Sequence, residues 1–383
     1  SEAINAWYIT GTDPHQSEYV AARWRTREFI SGFSGSAGTV VITKDKALLW
    51  VDSRYYLQGE QQIKGTEYIL MKQGLDGVPS PLEWLCENLN KNEKVGVDSS
   101  TVSISTFLDM EKKLKEKGIS LVGTDDYLSP IWKDRPSIPC TSCVSMKDEY
   151  AGFTAAAKIN FVRLKLRQEG ASWTFISSID DIAWLTNLRA NDIPCNPVFV
   201  SYLFISFEEA ILFVDKKRFS KDLLKKVEEN FTIKGYDEIA SSLPSLTKKG
   251  VGYYSQNKCA YTFYSSLAKK KNKTGDNITT KLKARKNPVE MEGMRRAHFL
   301  DGVAFANFMA SIDPLGVYSE LEIARRFEDE RKKMEGYLGP SFEPISAYNE
   351  HGAVVHYSPD EESNKKVEGQ GLLVLDTGSQ FEF

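Results

Sequence analysis

One pattern occurs twice in this chain, and that repetition narrows the possible folds more than any other feature. Residues 39–56 read TVVITKDKALLWVDSRYY and residues 202–219 read YLFISFEEAILFVDKKRF. At the offset of 163 that separates 39 from 202, Ile42 falls on Ile205, Thr43 on Ser206, Ala47 on Ala210, Leu49 on Leu212, Trp50 on Phe213, Val51 on Val214 and Asp52 on Asp215. Each copy has two apolar runs joined by a short charged turn and closed by an Asp and a basic residue, which is the pattern of a β-hairpin. Upstream, Phe29-Ile30-Ser31-Gly32-Phe33 resembles Trp184-Leu185-Thr186-Asn187-Leu188. Downstream, Val95-Gly96-Val97 and Gly250-Val251-Gly252 each open a short strand before a helix. Two hairpins can look alike by chance, but three features in the same order favour duplication of one α/β unit.

A chain of 383 residues exceeds one ordinary core, so two or three domains are expected. Three prolines in Ser129–Pro139 preclude a helix and read as an extended linker. A second boundary lies near Lys281, giving a division into 1–128, 129–280 and 281–383. Asn287-Pro288-Val289-Glu290 opens a helix with a cap, a proline at its first position and an acidic residue reaching back to the cap. Met291, Met294, Leu300, Val303, Phe305, Phe308, Met309 and Ile312 make that helix apolar enough to be expected buried. Ser319 with Glu322 starts another helix, expected to end near Gly336. Gly371–Asp376 reads as a continuous apolar strand ending in a carboxylate.

The formal net charge of -3 gives no electrostatic reason to expect nucleic acid or an anionic membrane as partner. The run Lys269-Lys270-Lys271-Asn272-Lys273 is local and reads as a solvated loop. No apolar stretch approaches the ~20 residues needed to span a bilayer, and the first residues lack the basic and apolar regions of a signal peptide. Five scattered cysteines suit a reducing compartment, and Cys140-Cys143, a lone CxxC, reads as two free thiols in a linker.

Few residues suggest chemistry. Asp376 closes an apolar strand, where a carboxylate must be compensated by turn N–H groups, a basic partner or a metal. His356 ends another apolar run, where a histidine is either a hydrogen-bonded core or edge residue or a catalyst. His351 lies five residues earlier, so strand spacing places the two on opposite faces. His15 in a polar loop and His298 within the apolar helix read as structural. Gly32-Phe33-Ser34-Gly35-Ser36-Ala37-Gly38 lacks the lysine of a phosphate loop and reads as a turn where backbones approach closely.

Taken together, these segments resemble aminopeptidase P, the three-domain Xaa-Pro aminopeptidases of the creatinase-like, "pita-bread" superfamily. The resemblance rests on Asp13–Tyr19, Phe29–Thr39 and Trp50–Tyr55 in the first unit. In the second it rests on Asp181–Arg189 and Asn196–Phe199, and in the third on Lys286–Glu290, His356-Tyr357 and Leu375–Gln380. It implies an α/β (α+β) chain: two creatinase-N-terminal-like units with mixed sheets flanked by helices, then the incomplete start of a pita-bread catalytic domain. It also implies a cytoplasmic enzyme, homodimeric at full length, that acts on peptides with proline in second place and has neither nucleic-acid nor membrane partners. The family uses two divalent metal ions, usually manganese, held by two Asp, one His and two Glu. Such a pair supplies hydroxide at neutral pH and polarises the scissile carbonyl.

By the same resemblance, Asp376 matches the first metal-bridging Asp, and His356 the catalytic His that binds substrate and stabilises the developing oxyanion. Arg54 matches a region that reaches toward an active site in family assemblies, against the alternative of an ion pair near Asp52. The remaining metal ligands are expected beyond Phe383, so this chain by itself is expected to bind no catalytic metal and to be inactive. The other readings are a prolidase or creatinase-type relative, which would have one N-terminal unit, and a non-catalytic pita-bread module that binds proteins.

Overall fold

Val40 pairs with Leu49 and Leu203 with Leu212, so both hairpins form, and in the same register. They lie in the first of two compact units of a computed structural model that describes residues 3–383. This unit comprises the chain up to Ser145 with Ala155–Ile193 and Val198–Ala284. Its first sheet is built from β1 (Ala6–Ile9), β2 (Thr39–Thr43), β3 (Ala47–Val51), β4 (Tyr68–Lys72), β5 (Lys94–Asp98) and β6 (Ser120–Thr124). Its second contains β7 (Trp173–Ile176), β8 (Tyr202–Ser206), β9 (Ala210–Phe213), β10 (Thr232–Lys234), β11 (Gly252–Tyr254) and β12 (Lys273–Thr274). The strand orders, β4-β3-β2-β1-β5-β6 and β10-β9-β8-β7-β11-β12, are the same topology. In both, the hairpin lies antiparallel to the central strand and the outer pairings are parallel.

Helices cover both faces of each sheet for the same reason. Val40, Leu49 and Val51 point to one side, with Phe33, Tyr55 and Ile63, beneath α1 (Thr26–Ser31) and α2 (Tyr56–Gln62). Val41, Leu48 and Trp50 point to the other, packing on Trp84 and Leu85 of α3 (Pro81–Asn88) and Leu114 of α4 (Ile104–Glu116). The equivalent residues of the second sheet divide in the same way. Leu203, Leu212 and Val214 share one cluster, and Phe204, Ile211 and Phe213 another. The helix before each hairpin ends in a left-handed residue, Gly32 with φ 73° and Asn187 with φ 56°, the cap that stops a helix sharply. After each hairpin, Asp52 accepts from Arg54 N and Asp215 from Lys217 N, each capping a single 3₁₀ turn.

Each sheet also seats an indole over a glycine. Trp7 pairs with Gly96 and Trp173 with Gly252 across parallel strands. A Cβ on Gly252 would come within 2.2 Å of the Trp173 ring. The register makes Ala6, not Trp7, the equivalent of Trp173, since they pair with Thr43 and Ser206 respectively. The two indoles therefore lie on opposite faces of their sheets.

The two sheets meet through equivalent loops. Ile104 N donates to Cys259 O at 2.9 Å while Tyr261 N donates to Val102 O at 2.8 Å. Ser105 N donates to Gln256 O at 3.1 Å while Thr262 N donates to Ser99 O at 2.9 Å. These bonds are reciprocal, as across a local two-fold axis between the copies. Beside them His15, expected in a polar loop, is buried. Its Nδ1 lies 2.8 Å from Ser177 O and its Nε2 3.0 Å from the Tyr236 hydroxyl, with the Tyr202 ring against it. Because a carbonyl can only accept, the proton sits on Nδ1. In the glycine-rich turn backbones do approach closely, a Cβ on Gly38 falling 2.8 Å from Trp50 O, and Gly35 O and Gly38 O both accept from buried Arg27, whose guanidinium burial lowers to about 10. Ser129–Pro139 holds no helix or strand.

The second unit comprises Met146–Thr154, Pro194–Pro197 and Arg285–Phe383. The asparagine cap forms as expected: Asn287 accepts from Glu290 N at 3.0 Å and Glu290 accepts from Asn287 N at 2.8 Å. The long helix it opens (Pro288–Ser311) is not buried, which corrects the expectation from its composition. Only Ala304 and Phe308 are enclosed, by Ile323 and Phe327 of the next helix, whereas Met291, Met294, Phe305 and Met309 are 42–52% exposed. This unit supplies packing partners for one face of that helix only. The next helix (Glu320–Arg331) begins at Ser319 as expected, but ends five residues before Gly336.

Two outcomes test this packing. Gly252→Ala is expected to destabilise the first unit by about 1–3 kcal/mol through overpacking against Trp173, read from urea unfolding. The second concerns His15, whose value burial holds below the ordinary 6.5 against the opposing pull of Asp13, the Ser177 carbonyl and Asp192. A lowered value in the fold means the unfolded chain takes up the proton first. Stability from neutral His15 is thus fully present above about 6.5 and lost as pH falls below it. The urea midpoint is expected to fall on acidification, and less steeply in His15→Gln.

Candidate functional site

Two anchored carboxylates shape the part of the second unit that holds Asp376 and His356. The local elements are two antiparallel pairs. Ile345–Tyr348 pairs with Leu373–Asp376, Asp376 opposite Ile345, and Tyr337–Pro340 pairs with Ser379–Phe381. Between the last two strands the chain turns at Thr377-Gly378, where Ser341 N donates to Gly378 O at 3.0 Å. A Cβ on Gly378 would lie 2.1 Å from Ser341 Oγ, so any larger residue there would displace that side chain.

Asp301 fixes the strand beyond that turn. It accepts from Ser379 Oγ at 2.6 Å and from buried Arg331 at 2.7 and 3.1 Å, joining the two helices to the sheet. Glu320 fixes the other side. Its carboxylate is fully buried and accepts from Tyr348 N at 2.6 Å, His351 Nδ1 at 2.9 Å, the Tyr357 hydroxyl at 2.9 Å and Lys365 N at 3.1 Å. Burial, with Glu320 beside it, pushes the Tyr357 phenol up to about 12, so it remains a donor at neutral pH.

Strand alternation then decides where Asp376 points. Leu373 and Leu375 pack toward Phe308 and Phe327, whereas Val374 and Asp376 are exposed on the opposite face. Leu372 is also exposed. Among the described residues the Asp376 carboxylate has no hydrogen-bond or ion-pair partner, so it caps no turn. The segment after Tyr348 does not continue as a strand, which corrects the reading of His356 as the end of an extended run. Residues 349–353 form a 3₁₀ turn, and Gly352 folds back against Val374, on the same face as Asp376. His356 follows, exposed, with φ 62° in the left-handed region. The opposite-face argument for His351 and His356 therefore fails, because neither lies in a strand.

Arg54 belongs to the first unit and forms a two-point ion pair with Asp52, Nε to Oδ1 at 2.9 Å and Nη2 to Oδ2 at 2.8 Å. This contact raises the guanidinium above its ordinary value, and both side chains are substantially exposed. His298 is exposed, its Nδ1 at 2.8 Å from Met294 O. Cys140 and Cys143 are free thiols. Among the described residues no group of three or more His, Cys, Asp or Glu converges to hold a metal, so these donors by themselves do not fit a dinuclear pair.

The chain matches two models described as creatinase/prolidase N-terminal domains, at 2–130 and 134–290, and metallopeptidase family M24 at 292–382. It is 32% identical to an aminopeptidase P1 of Lotus japonicus over 449 aligned positions, covering all of this chain and 68% of that protein. The chain belongs to the aminopeptidase P family. Xaa-Pro aminopeptidase 1 of Dictyostelium discoideum is 33% identical, across 99% of this chain and 63% of its own length. An X-prolyl aminopeptidase of Caenorhabditis elegans, described as a cytosolic enzyme with a di-nuclear active site, superposes with a TM-score of 0.95 at 30% identity, over 100% of this chain and 64% of that one. The chain thus spans under two thirds of several relatives. Two creatinase-like units with mixed sheets, followed by an M24 segment, agree with the fold expected from the sequence. Among the described residues no helix is long and apolar enough to cross a membrane.

Sequence reasoning missed Glu320 and Asp301 because their partners are distant in the chain; only the position of Glu320 beside the Ser319 cap offered a hint. Since the Asp376 carboxylate holds no structural contact, Asp376→Asn is expected to change the unfolding free energy by less than about 0.5 kcal/mol, measured by urea denaturation. A turn-capping role would cost about 1 kcal/mol.

Proposed function

We propose that the protein to which this chain belongs is a metallo-aminopeptidase that releases the first residue of peptides with proline in second position. The observation that carries this reading is the match to Xaa-Pro aminopeptidases along essentially the whole chain, at 33% identity and a TM-score of 0.95. In this reading the chain divides at about 128 and 280 into two creatinase-like domains and the opening of the catalytic domain. Asp376 is one ligand of a pair of divalent ions, with manganese as the occupant, and the other ligands follow Phe383. An exposed carboxylate without a partner among the described residues, just before a strand tied to Asp301, suits a ligand awaiting its metal. His356 contacts substrate at the scissile group. Its left-handed backbone and exposed position suit a residue held for function rather than packing. Arg54 reaches toward an active site in the assembled protein, against the alternative that its contact with Asp52 is its whole role. In this reading the enzyme works in the cytoplasm, as described for the nematode relative, and the full-length protein is a homodimer.

Proline's tertiary amide lacks an N–H, so a dedicated pocket selects it by shape. The test uses the full-length gene product with manganese and two peptides differing only in proline or alanine at the second position. Cleavage of the proline peptide alone, lost on chelation and restored by manganese, is the expected result. Turnover restricted to free dipeptides would favour a prolidase-type relative, and absence of any cleavage would favour a protein-binding module. The 383-residue chain by itself is expected to cleave neither peptide, and metal-dependent cleavage by it would overturn the assignment of ligands beyond Phe383.

A further inference from the structure

Glu320 is the most heavily used buried carboxylate of the second unit, and its four donors bracket one residue. Tyr348 N and His351 Nδ1 precede His356, the Tyr357 hydroxyl comes from the residue directly after it, and Lys365 N closes the far side. The turn itself is closed by Val354 N to His351 O and Tyr357 N to Val354 O, each at 3.0 Å. Every one of those three residues is either held by Glu320 or bonded to one that is. His356 itself adopts φ 62°, in the left-handed region, which is uncommon outside glycine although histidine enters it more readily than most residues.

The carboxylate accepts only, so it also fixes chemistry on its neighbours. His351 must carry its proton on Nδ1, and the Tyr357 hydroxyl is held between Glu320 at 2.9 Å and Ser363 O at 3.1 Å. The His351 and Tyr357 rings lie 4.5 Å apart between centroids, so the two donors hold each other as well as the carboxylate. Glu320 opens its helix, where the backbone dipole favours negative charge, and its own N–H donates to Lys365 O at 3.0 Å. Nothing in packing alone calls for a charge here. An apolar residue would fill the space, but would leave two backbone N–H groups and an imidazole without an acceptor, and the Tyr357 phenol with Ser363 O alone at 3.1 Å.

We infer that Glu320 is a positioning residue for His356: through His351 and Tyr357 it fixes both ends of the turn that presents the His356 side chain to substrate. The inference rests on the proposed role of His356, and its test separates the two. In the full-length protein, Glu320→Ala is expected to lower kcat by about 10–100-fold, the range found when a residue orienting a functional group is removed, with little change in KM. In a His356→Ala background the same substitution is expected to cost less than about twofold, because the side chain it positions is gone. Glu320→Gln, which retains an acceptor for the backbone amides, is expected to recover part of the loss and serves if the alanine variant fails to fold. Amide hydrogen exchange supplies a readout independent of activity: Val354 and Tyr357 are expected to exchange faster in the Glu320 variants while the first unit is unchanged. If exchange accelerates but His356→Ala leaves turnover intact, the role of His356 fails and the structural part of the inference stands. Full additivity of the two substitutions, or unaltered exchange at 354 and 357, overturns the positioning role.

Discussion

The register between each hairpin and its central strand is the constraint from which the first unit follows. A slip by one residue would turn Val40 and Leu49, or Leu203 and Leu212, to the wrong side and present the opposite set to the wrong helices. Each such side chain is worth about 1.5–3 kcal/mol when buried, so the penalty for slippage is large. Asp52 and Asp215 stop the hairpins at equivalent positions, which helps to hold that register. With the register set, the parallel outer strands and covering helices have one arrangement available to them, and both copies adopt it.

Duplication also explains how the copies join. Reciprocal backbone bonds between the loops after β5 and β11 require the same loop shape on both sides, which two descendants of one unit supply. The sequences have diverged around this shared backbone. The indole seated over glycine has moved to the opposite sheet face, and His15 has become a buried polar bridge between copies. A neutral, tautomer-fixed imidazole donates to the Ser177 carbonyl and accepts from the Tyr236 hydroxyl, bridging two buried polar groups.

The second unit separates two uses of a carboxylate. Glu320 and Asp301 are saturated with donors and organise the backbone around them, whereas Asp376, on the strand between the regions they anchor, has no hydrogen-bond or ion-pair partner among the described residues. Charge that is fully satisfied serves the fold; charge left open on an ordered strand is available for chemistry. The apolar residues exposed along Pro288–Ser311 show the same openness in another form, with Met291, Met294, Phe305 and Met309 uncovered by this unit.

Local patterns in the sequence determined the hairpins, the asparagine-proline cap at 287–288, the absence of a helix across the prolines of 129–139 and the order of the units. Each depends on residues a few positions apart, whose periodicity and turn chemistry are visible along the chain. Asp376 was legible in the same way, as a carboxylate ending an apolar run. The tertiary structure decided the rest. It bent residues 349–356 into a turn that composition made look extended, left the long apolar helix half uncovered, buried His15 and made Glu320 a hub. These outcomes depend on partners about 30 to more than 200 residues distant, such as Tyr357 for Glu320 and Tyr236 for His15. A chain's local pattern sets which contacts a residue is able to make, and only folding sets which partner arrives.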